Sequence, residues 1–306
     1  MKRIGWAYLG VMILLVVTIV IAVTCGSSSI SWQHMTMTDY NTIFNIRLPR
    51  LVADLVGGAA LAISGAFYQA TFRNPIADAG ILGISAGADL FAVVAALVIP
   101  GAFWFKVGGA LIGGTIVLVV LVTLQQFLSP TQLILVGVAM DAAITGVQKI
   151  LNTNQLNGLA TVTWTGTMVL AVVGVIVIIA ALFVAHWGNY LKVSDEFLES
   201  VGLNPRLLRT SLLIIATILA TCTTAVIGIV AFLGIIVPQS CRVIIGRNYQ
   251  NLIPFAGLCG AWLLLATDTF GRLIVQPSEI SAQIILAIVG GPFLIVMLVK
   301  GKRAVQ

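Results

Sequence analysis

The sequence predicts an all-α membrane protein, a polytopic bundle of about ten transmembrane helices. Hydrophobic residues make up 59% of the 306 residues and charged residues only 8%, whereas a soluble domain carries roughly 25% charged residues. Ten apolar runs follow one another with short connections, and a span needs about 20 residues. Because such a bundle uses the whole length, residues 1–306 are expected to form one transmembrane domain without a nucleotide-binding domain.

The apolar runs cover nearly the whole chain in order. They are residues 6–25, 48–70, 79–99, 107–127, 131–151, 165–187, 210–230, 232–246, 252–271 and 281–299. The seventh and eighth runs meet at Gly228–Ala231, and an interrupted helix at that depth must be sheltered by protein or line a cavity. In the eighth run Pro238 removes a backbone hydrogen bond, and with Gly234 it is predicted to allow a gating bend.

Small residues are concentrated between Arg47 and Ala88, in two adjacent predicted helices. Glycine, alanine and serine let helix backbones approach closely inside lipid. The first of these helices is therefore expected at the centre of the bundle. Gly83, Ser85 and Gly87 open the second helix and are predicted to pack against neighbouring helices.

The basic residues predict the orientation. With the N-terminus inside the cell, eleven of the sixteen lysines and arginines lie on the cytoplasmic side and five lie outside, in agreement with the positive-inside rule. Both termini are therefore expected in the cytoplasm. Because the basic residues are spread singly, they are expected to set topology, and no nucleic acid is expected as a partner.

The longest polar connection is the 192–209 loop, between the sixth and seventh spans. A short helical pattern, Asp195–Val201, is stopped by Gly202, Asn204 and Pro205. A short polar helix on the cytoplasmic face suits the docking of a soluble partner. A plain solvated connector is the alternative interpretation.

Charged residues within membrane spans are hypotheses for function, because burying a charge in lipid is costly. Asp268 and Arg272 are one helical turn apart and can pair. Arg50 and Asp54 have the same spacing and can pair in the same way. Near the outer surface such pairs also serve as structural ion pairs.

No catalytic or metal site is expected. Residues 83–87 formally match the G-x-S-x-G nucleophile motif, but that motif needs a preceding strand and a nearby base. The chain has only two histidines, His34 and His186, which the predicted topology puts on opposite sides of the membrane. The four cysteines lie in or beside apolar runs without metal-ligand spacing.

Two blocks of the sequence resemble a known family. The first contains RLPR, GAALAISGAFYQ, RNPIAD and LGISAGA within Arg47–Ala88, and the second is AFLGIIVPQSCRVIIGR, residues 231–247. In this order they resemble the permease subunits of bacterial ABC importers for iron-siderophores, haem and vitamin B12, the FecCD type. Gln239 stands where the family usually has histidine, and residues 148–166 match little of the family pattern.

The resemblance implies a type II ABC importer permease with no enzymatic activity of its own. It would form a homodimer, or a heterodimer with a similar permease, in the lipid of a bacterial inner or plasma membrane. Two cytoplasmic ATPase subunits would use ATP and Mg, so no cofactor is expected in this chain. An extracytoplasmic binding protein would deliver the metal chelate.

The resemblance also implies roles for individual residues. It places docking of the binding protein on three outer arginines: Arg47, Arg50 and Arg272. It places ATPase coupling on the 192–209 loop: Glu199, Val201, Gly202, Leu203 and Arg206.

Two other classes of protein fit parts of the pattern. A proton- or sodium-coupled secondary transporter would use intramembrane carboxylates, and Asp89 and Asp141 have no partner close in sequence. A membrane enzyme is disfavoured by the lack of a cluster of histidine, carboxylate and cysteine residues. Co-purification with an ATPase separates the importer from the secondary transporter.

Overall fold

The computed structural model describes residues 2–26, 35–99, 101–151, 158–275 and 278–303, and over these residues the chain is helical with no strand. His34 lies outside the described residues. The α-helices are α1 Lys2–Thr24, α2 Met37–Asn41, α3 Leu48–Thr71, α4 Ile84–Val98, α5 Phe103–Leu124, α6 Pro130–Ile150, α7 Trp164–Val184, α8 Trp187–Tyr190, α9 Asp195–Ser200, α10 Pro205–Ile227, α11 Leu233–Ile245, α12 Tyr249–Ile274 and α13 Ala282–Arg303. A π-helical turn, Thr42–Arg47, joins α2 to α3.

Ten of these helices correspond to the ten predicted apolar runs. In the described part of the chain, seven helical runs are long and apolar enough to cross a membrane: α1, the continuous run from α2 to the end of α3, α5, α6, α7, α10 and α12. Helices α4 and α11 are also apolar but shorter, as is the apolar part of α13, Ala282–Met297. The predicted all-α membrane bundle is therefore confirmed.

Helix α3 is the centre of the bundle, as its small residues predict. It packs against α7, α10, α11 and α12, and nearly every residue from Gly57 onwards is buried. At the crossing with α12, a Cβ added to Gly58 would lie 2.3 Å from the Gly260 carbonyl oxygen. Only glycine allows the two backbones to approach so closely.

Helices α4 and α5 form a second close pair. A Cβ added to Gly113 of α5 would lie 2.1 Å from the Gly87 carbonyl oxygen of α4. Gly83 precedes α4 with φ of +73°, a conformation that favours glycine. Ser85 is buried in the first turn, and its N–H donates to the Ala79 carbonyl at 3.1 Å.

The predicted interruption between the seventh and eighth spans is present and is sheltered by protein. Helix α10 ends at Ile227, Gly228 follows with φ of +90°, and α11 begins at Leu233. The carbonyl of Ile227, the last residue of α10, accepts a hydrogen bond from Gln283 Nε2 at 3.1 Å. This contact satisfies a backbone group that could not face lipid unpaired.

The connections between helices gather at two ends of the bundle. One end, here the loop end, carries residues 72–83, 185–204 and 246–248. Arg73 Nη2 donates to the Val193 carbonyl at 2.7 Å, and Lys192 Nζ donates to the Arg247 carbonyl at 2.6 Å. These two bonds tie these three connections together.

The opposite end carries Gly26, the π-helical turn and residues 278–281. Arg47 Nη1 donates there to the Val23 carbonyl at 2.6 Å. Helix α1 begins at the loop end, since the Tyr8 hydroxyl donates to the Asn251 carbonyl at 3.3 Å. It ends at the opposite end, beside Arg47.

Candidate functional site

A buried ion-pair cluster occupies the opposite end, where α3, α12 and residues 278–281 meet. Arg50 donates to both carboxylate oxygens of Asp268, from Nε at 2.9 Å and from Nη2 at 2.7 Å. Its Nη1 donates to Glu279 Oε2 at 2.7 Å. Asp268 is fully buried, and two-pronged pairing of this kind is the strongest arrangement for an arginine and a carboxylate.

Asp268 also pairs with Arg272, one turn further along α12. The Arg272 Nε lies 3.1 Å from Asp268 Oδ2, in an ion pair that is not aligned for a hydrogen bond. This i,i+4 pair was predicted and is confirmed.

The predicted pair of Arg50 with Asp54 is wrong, because Arg50 reaches across to α12 instead. Asp54 is fully buried close to Asp268, and it forms no ion pair among the described residues.

The three arginines assigned to binding-protein docking come together at this end. Arg47, Arg50 and Arg272 line one cavity of about 260 Å³ with Glu279. Only 4–6% of each arginine is exposed. Any partner must therefore reach them through this cavity, and their docking role stays a prediction.

The 192–209 loop contains the predicted short helix, α9, at the loop end. Ser194 begins it, since its hydroxyl accepts a hydrogen bond from the Phe197 N–H at 3.3 Å. Gly202 follows the helix with φ of +79°. The predicted coupling residues lie on the outer side of this loop: Glu199, Val201, Gly202 and Arg206 are exposed, and Leu203 is half-buried.

Asp195 attaches α9 to the bundle, a role that the sequence did not reveal. Both of its oxygens accept hydrogen bonds from Arg209, at 2.7 and 2.8 Å, and Arg73 Nη2 lies 2.9 Å from Oδ1. Partial burial acts to raise the pKa of Asp195, but these hydrogen bonds and positive charges outweigh it and lower that pKa below its usual range. The signal available in the sequence was an acidic first helical residue with arginines on either side of the loop.

A polar contact lies at the loop end, where α3 crosses α11. The two backbones touch: a Cβ on Gly65 would lie 2.1 Å from the Gly234 carbonyl oxygen, and a Cβ on Gly234 would lie 2.1 Å from Asp78 Oδ1. Gln69 Nε2 donates to the Gly234 carbonyl at 2.9 Å. Burial raises the pKa of Asp78 to about 7, although backbone hydrogen bonds oppose this. Asp78 and Gln69 were not singled out from the sequence.

Pro238 lies one helical turn after Gly234 in α11 and is buried. The next residue, Gln239, donates to the Pro75 carbonyl at 2.8 Å. This bond connects the segment around Pro238 to the connection that follows α3. The gating role of Gly234 and Pro238 stays a prediction.

The intramembrane carboxylates of the secondary-transporter alternative differ in their surroundings. Asp89 accepts a hydrogen bond from Gln148 Nε2 at 3.0 Å, a contact between α4 and α6 that sequence spacing could not show. Asp141 is half-buried on α6. Among the described residues, no group of three or more histidine, cysteine or acidic residues could hold a metal ion.

Comparisons with known proteins cover nearly the whole chain. The FecCD transport family matches residues 14–300. The chain is 36% identical over 310 aligned residues to the probable heme-iron transport system permease protein IsdF of Staphylococcus aureus, with the same identity in strains MW2 and Newman. The alignment covers 97% of this chain and 96% of the relative.

Two solved structures share the fold. One is an inward-facing conformation of a proposed metal-chelate type ABC transporter, with a TM-score of 0.82 and 26% identity, covering 95% of this chain and 98% of that one. The other is PsaBC from Streptococcus pneumoniae in complex with Fab, with a TM-score of 0.60 and 14% identity, covering 85% and 93%. At that identity the second structure supports the fold alone.

Proposed function

This chain belongs to the FecCD transport family and is a membrane permease of the ABC importer type, and we propose that it carries a metal chelate, with haem as the first candidate. The observation that carries the proposal is the 36% identity to a haem-iron permease over 97% of the chain. The structural neighbour at a TM-score of 0.82 belongs to a transporter of the metal-chelate type, which supports the same class of substrate.

The permease would not hydrolyse ATP itself. We propose that separate ATPase subunits use ATP and Mg and dock at the loop end, on the outer side of α9. The exposure of Glu199, Val201, Gly202 and Arg206 supports this assignment. Asp195 supports it as well, because its ion pairs with Arg73 and Arg209 hold α9 against the bundle. These pairs would transmit a displacement of α9 to α3 and α10.

At the opposite end we propose docking of an extracytoplasmic binding protein over the arginine-lined cavity. The loop end would then face the cytoplasm, with both chain termini on that side. Two permeases would assemble around one pathway, as a homodimer or with a similar permease. The excess of basic residues at the loop end supports this orientation.

The test is uptake into proteoliposomes that contain the permease, its ATPase and its binding protein. We expect uptake of haem that requires ATP inside and the binding protein outside. A ferric siderophore and cobalamin serve as competing substrates, and preference for either would correct the choice of chelate. Uptake driven by a proton or sodium gradient without ATP would contradict the importer and favour the alternative based on Asp89 or Asp141.

A further inference from the structure

A basic cavity lies at the loop end, between the ends of α3, α11 and α12 and the connection from α8 to α9. It consists of two adjoining chambers of about 450 and 460 Å³. The residues that line both chambers are Gln69, Arg73, Lys192 and Tyr249. Arg242 and Arg247 add two further cations to the second chamber.

The positive charge of this cavity is not balanced within the described residues. Arg73 has a carboxylate partner, Asp195. Lys192 Nζ donates only to neutral oxygens, those of Asn189 and the Arg247 carbonyl. Arg242 donates to neutral groups, the Gln69 side chain and the Tyr249 hydroxyl.

Arg247 is exposed at the mouth of the second chamber, and no carboxylate of the described chain lies within ion-pair distance of it. Burial, followed by the charges of Arg242 and Arg247, lowers the pKa of Lys192. The three cations therefore repel one another. A bound anion would relieve that repulsion.

We propose that this cavity binds the phosphate headgroup of an anionic phospholipid. Guanidinium and ammonium groups beside the Tyr249 hydroxyl supply the donors that phosphate oxygens take, and basic pockets between membrane helices on the cytoplasmic side suit such headgroups. Val243 and Ile244 follow Arg242 on α11 and are 88% and 56% exposed, so apolar surface for acyl chains adjoins the cavity. The choice of the cytoplasmic leaflet rests on the orientation proposed above, whereas the chemistry of the cavity does not.

The test uses the full chain in nanodiscs of phosphatidylcholine with a minor fraction of phosphatidylglycerol, and native mass spectrometry of the lipid that stays bound. We expect phosphatidylglycerol to be retained in preference to phosphatidylcholine. Arg247→Gln should weaken retention about fivefold, and Arg247→Gln with Lys192→Gln about thirtyfold, since each cation near a membrane surface contributes about that factor. Arg247 makes no side-chain bond in the described structure, so its single variant is expected to fold normally.

The matched control is Lys149→Gln, which removes one exposed charge near the end of α6, outside the cavity. It should leave retention unchanged. Equal retention of the two lipids, or equal loss in Lys149→Gln and Arg247→Gln, would overturn the proposal. Displacement of the lipid by millimolar inorganic phosphate at constant ionic strength would assign the cavity to a small anion instead. If Arg247→Gln lost a co-purifying ATPase while keeping the lipid, the cavity would belong to a protein partner. Transport is not measured, so the result is independent of the proposed substrate.

Discussion

At the scale of single residues, buried charge is stable in this molecule where opposite charges meet. Asp268 shows this, because its carboxylate lies between Arg50 and Arg272 with no exposed surface. The free-energy cost of removing such groups from water is offset only when the ion pair has close geometry and further hydrogen bonds. Removing the central charge should therefore affect stability more than any change at the exposed loop.

We expect Asp268→Asn to lower the stability of the chain by roughly 3–5 kcal/mol, because two guanidinium groups then stay buried without their shared counter-charge. The measurement is the apparent melting temperature and yield in detergent. Glu199→Gln is the control, since Glu199 is exposed and outside the cluster, and it should change stability by less than about 0.5 kcal/mol. Equal melting temperatures for the two variants would contradict the structural role of Asp268.

A second prediction at this scale concerns Gly234. Gly234→Ala should cost about 1–3 kcal/mol as an overpacked contact, because the new methyl group would collide with Asp78 Oδ1. Gly146→Ala in α6 is the matched control, since nothing lies within 4 Å of its added Cβ, and it should be neutral or stabilising. The same melting assay compares them, and a neutral Gly234→Ala would show that the crossing is looser than the structure indicates.

At the scale of helices, α9 has one side attached to the bundle and one side exposed. Asp195 holds the inner side of α9 against the bundle. Glu199 of α9 and Arg206, in the first turn of α10, are exposed and make no ion pair in the described structure. We expect Glu199→Arg combined with Arg206→Glu to reduce co-purification of the ATPase at least tenfold while leaving the melting temperature of the permease unchanged. Full ATPase binding by this variant would contradict the proposed coupling role of Glu199 and Arg206.

The attachment of α9 has its own pH dependence. Because the folded-state pKa of Asp195 is lowered, its pairing stabilises α9 at pH values above the ordinary carboxylate pKa of about 4. The stabilisation is lost as the pH falls through the lowered value. Hydrogen exchange of residues 195–200 should therefore show constant protection between pH 7 and pH 5, and Asp195→Asn should lose protection throughout that range. A fall in protection between pH 7 and pH 5 in the wild-type chain would contradict this.

At the scale of the whole molecule, the three arginines proposed to dock the binding protein are buried where helices meet at the opposite end. Arg272→Glu would replace a positive charge beside buried Asp268 with a further carboxylate and is expected to prevent folding, so it cannot test docking. Arg47→Gln keeps that cluster intact, and we expect it to weaken capture of the binding protein about fivefold with a smaller salt dependence. The control is Lys149→Gln. Lys149 is exposed and is another basic residue predicted to lie on the outer side. Unchanged capture of the binding protein by Arg47→Gln would contradict a docking role for Arg47 and leave it with a structural role.

Much of the architecture could be predicted from the chain alone, because the properties that specify it are local. Hydropathy and run length identified the ten apolar helices, small residues identified α3 as central, and the stop at Gly202 located α9. The i,i+4 pair of Asp268 and Arg272 was also visible, since a single helix fixes that spacing.

Contacts between distant segments depended on the tertiary structure. Arg50 selects Asp268, 218 residues away, over Asp54 at helical spacing, because the glycine crossing of α3 and α12 brings a second carboxylate within reach. Asp78 is buried because α11 crosses α3 at Gly234. The basic cavity depends on α8, the last turns of α3 and α11 and the first turn of α12 lying side by side. No local sequence pattern predicts these contacts between distant segments, since they follow from how the helices pack.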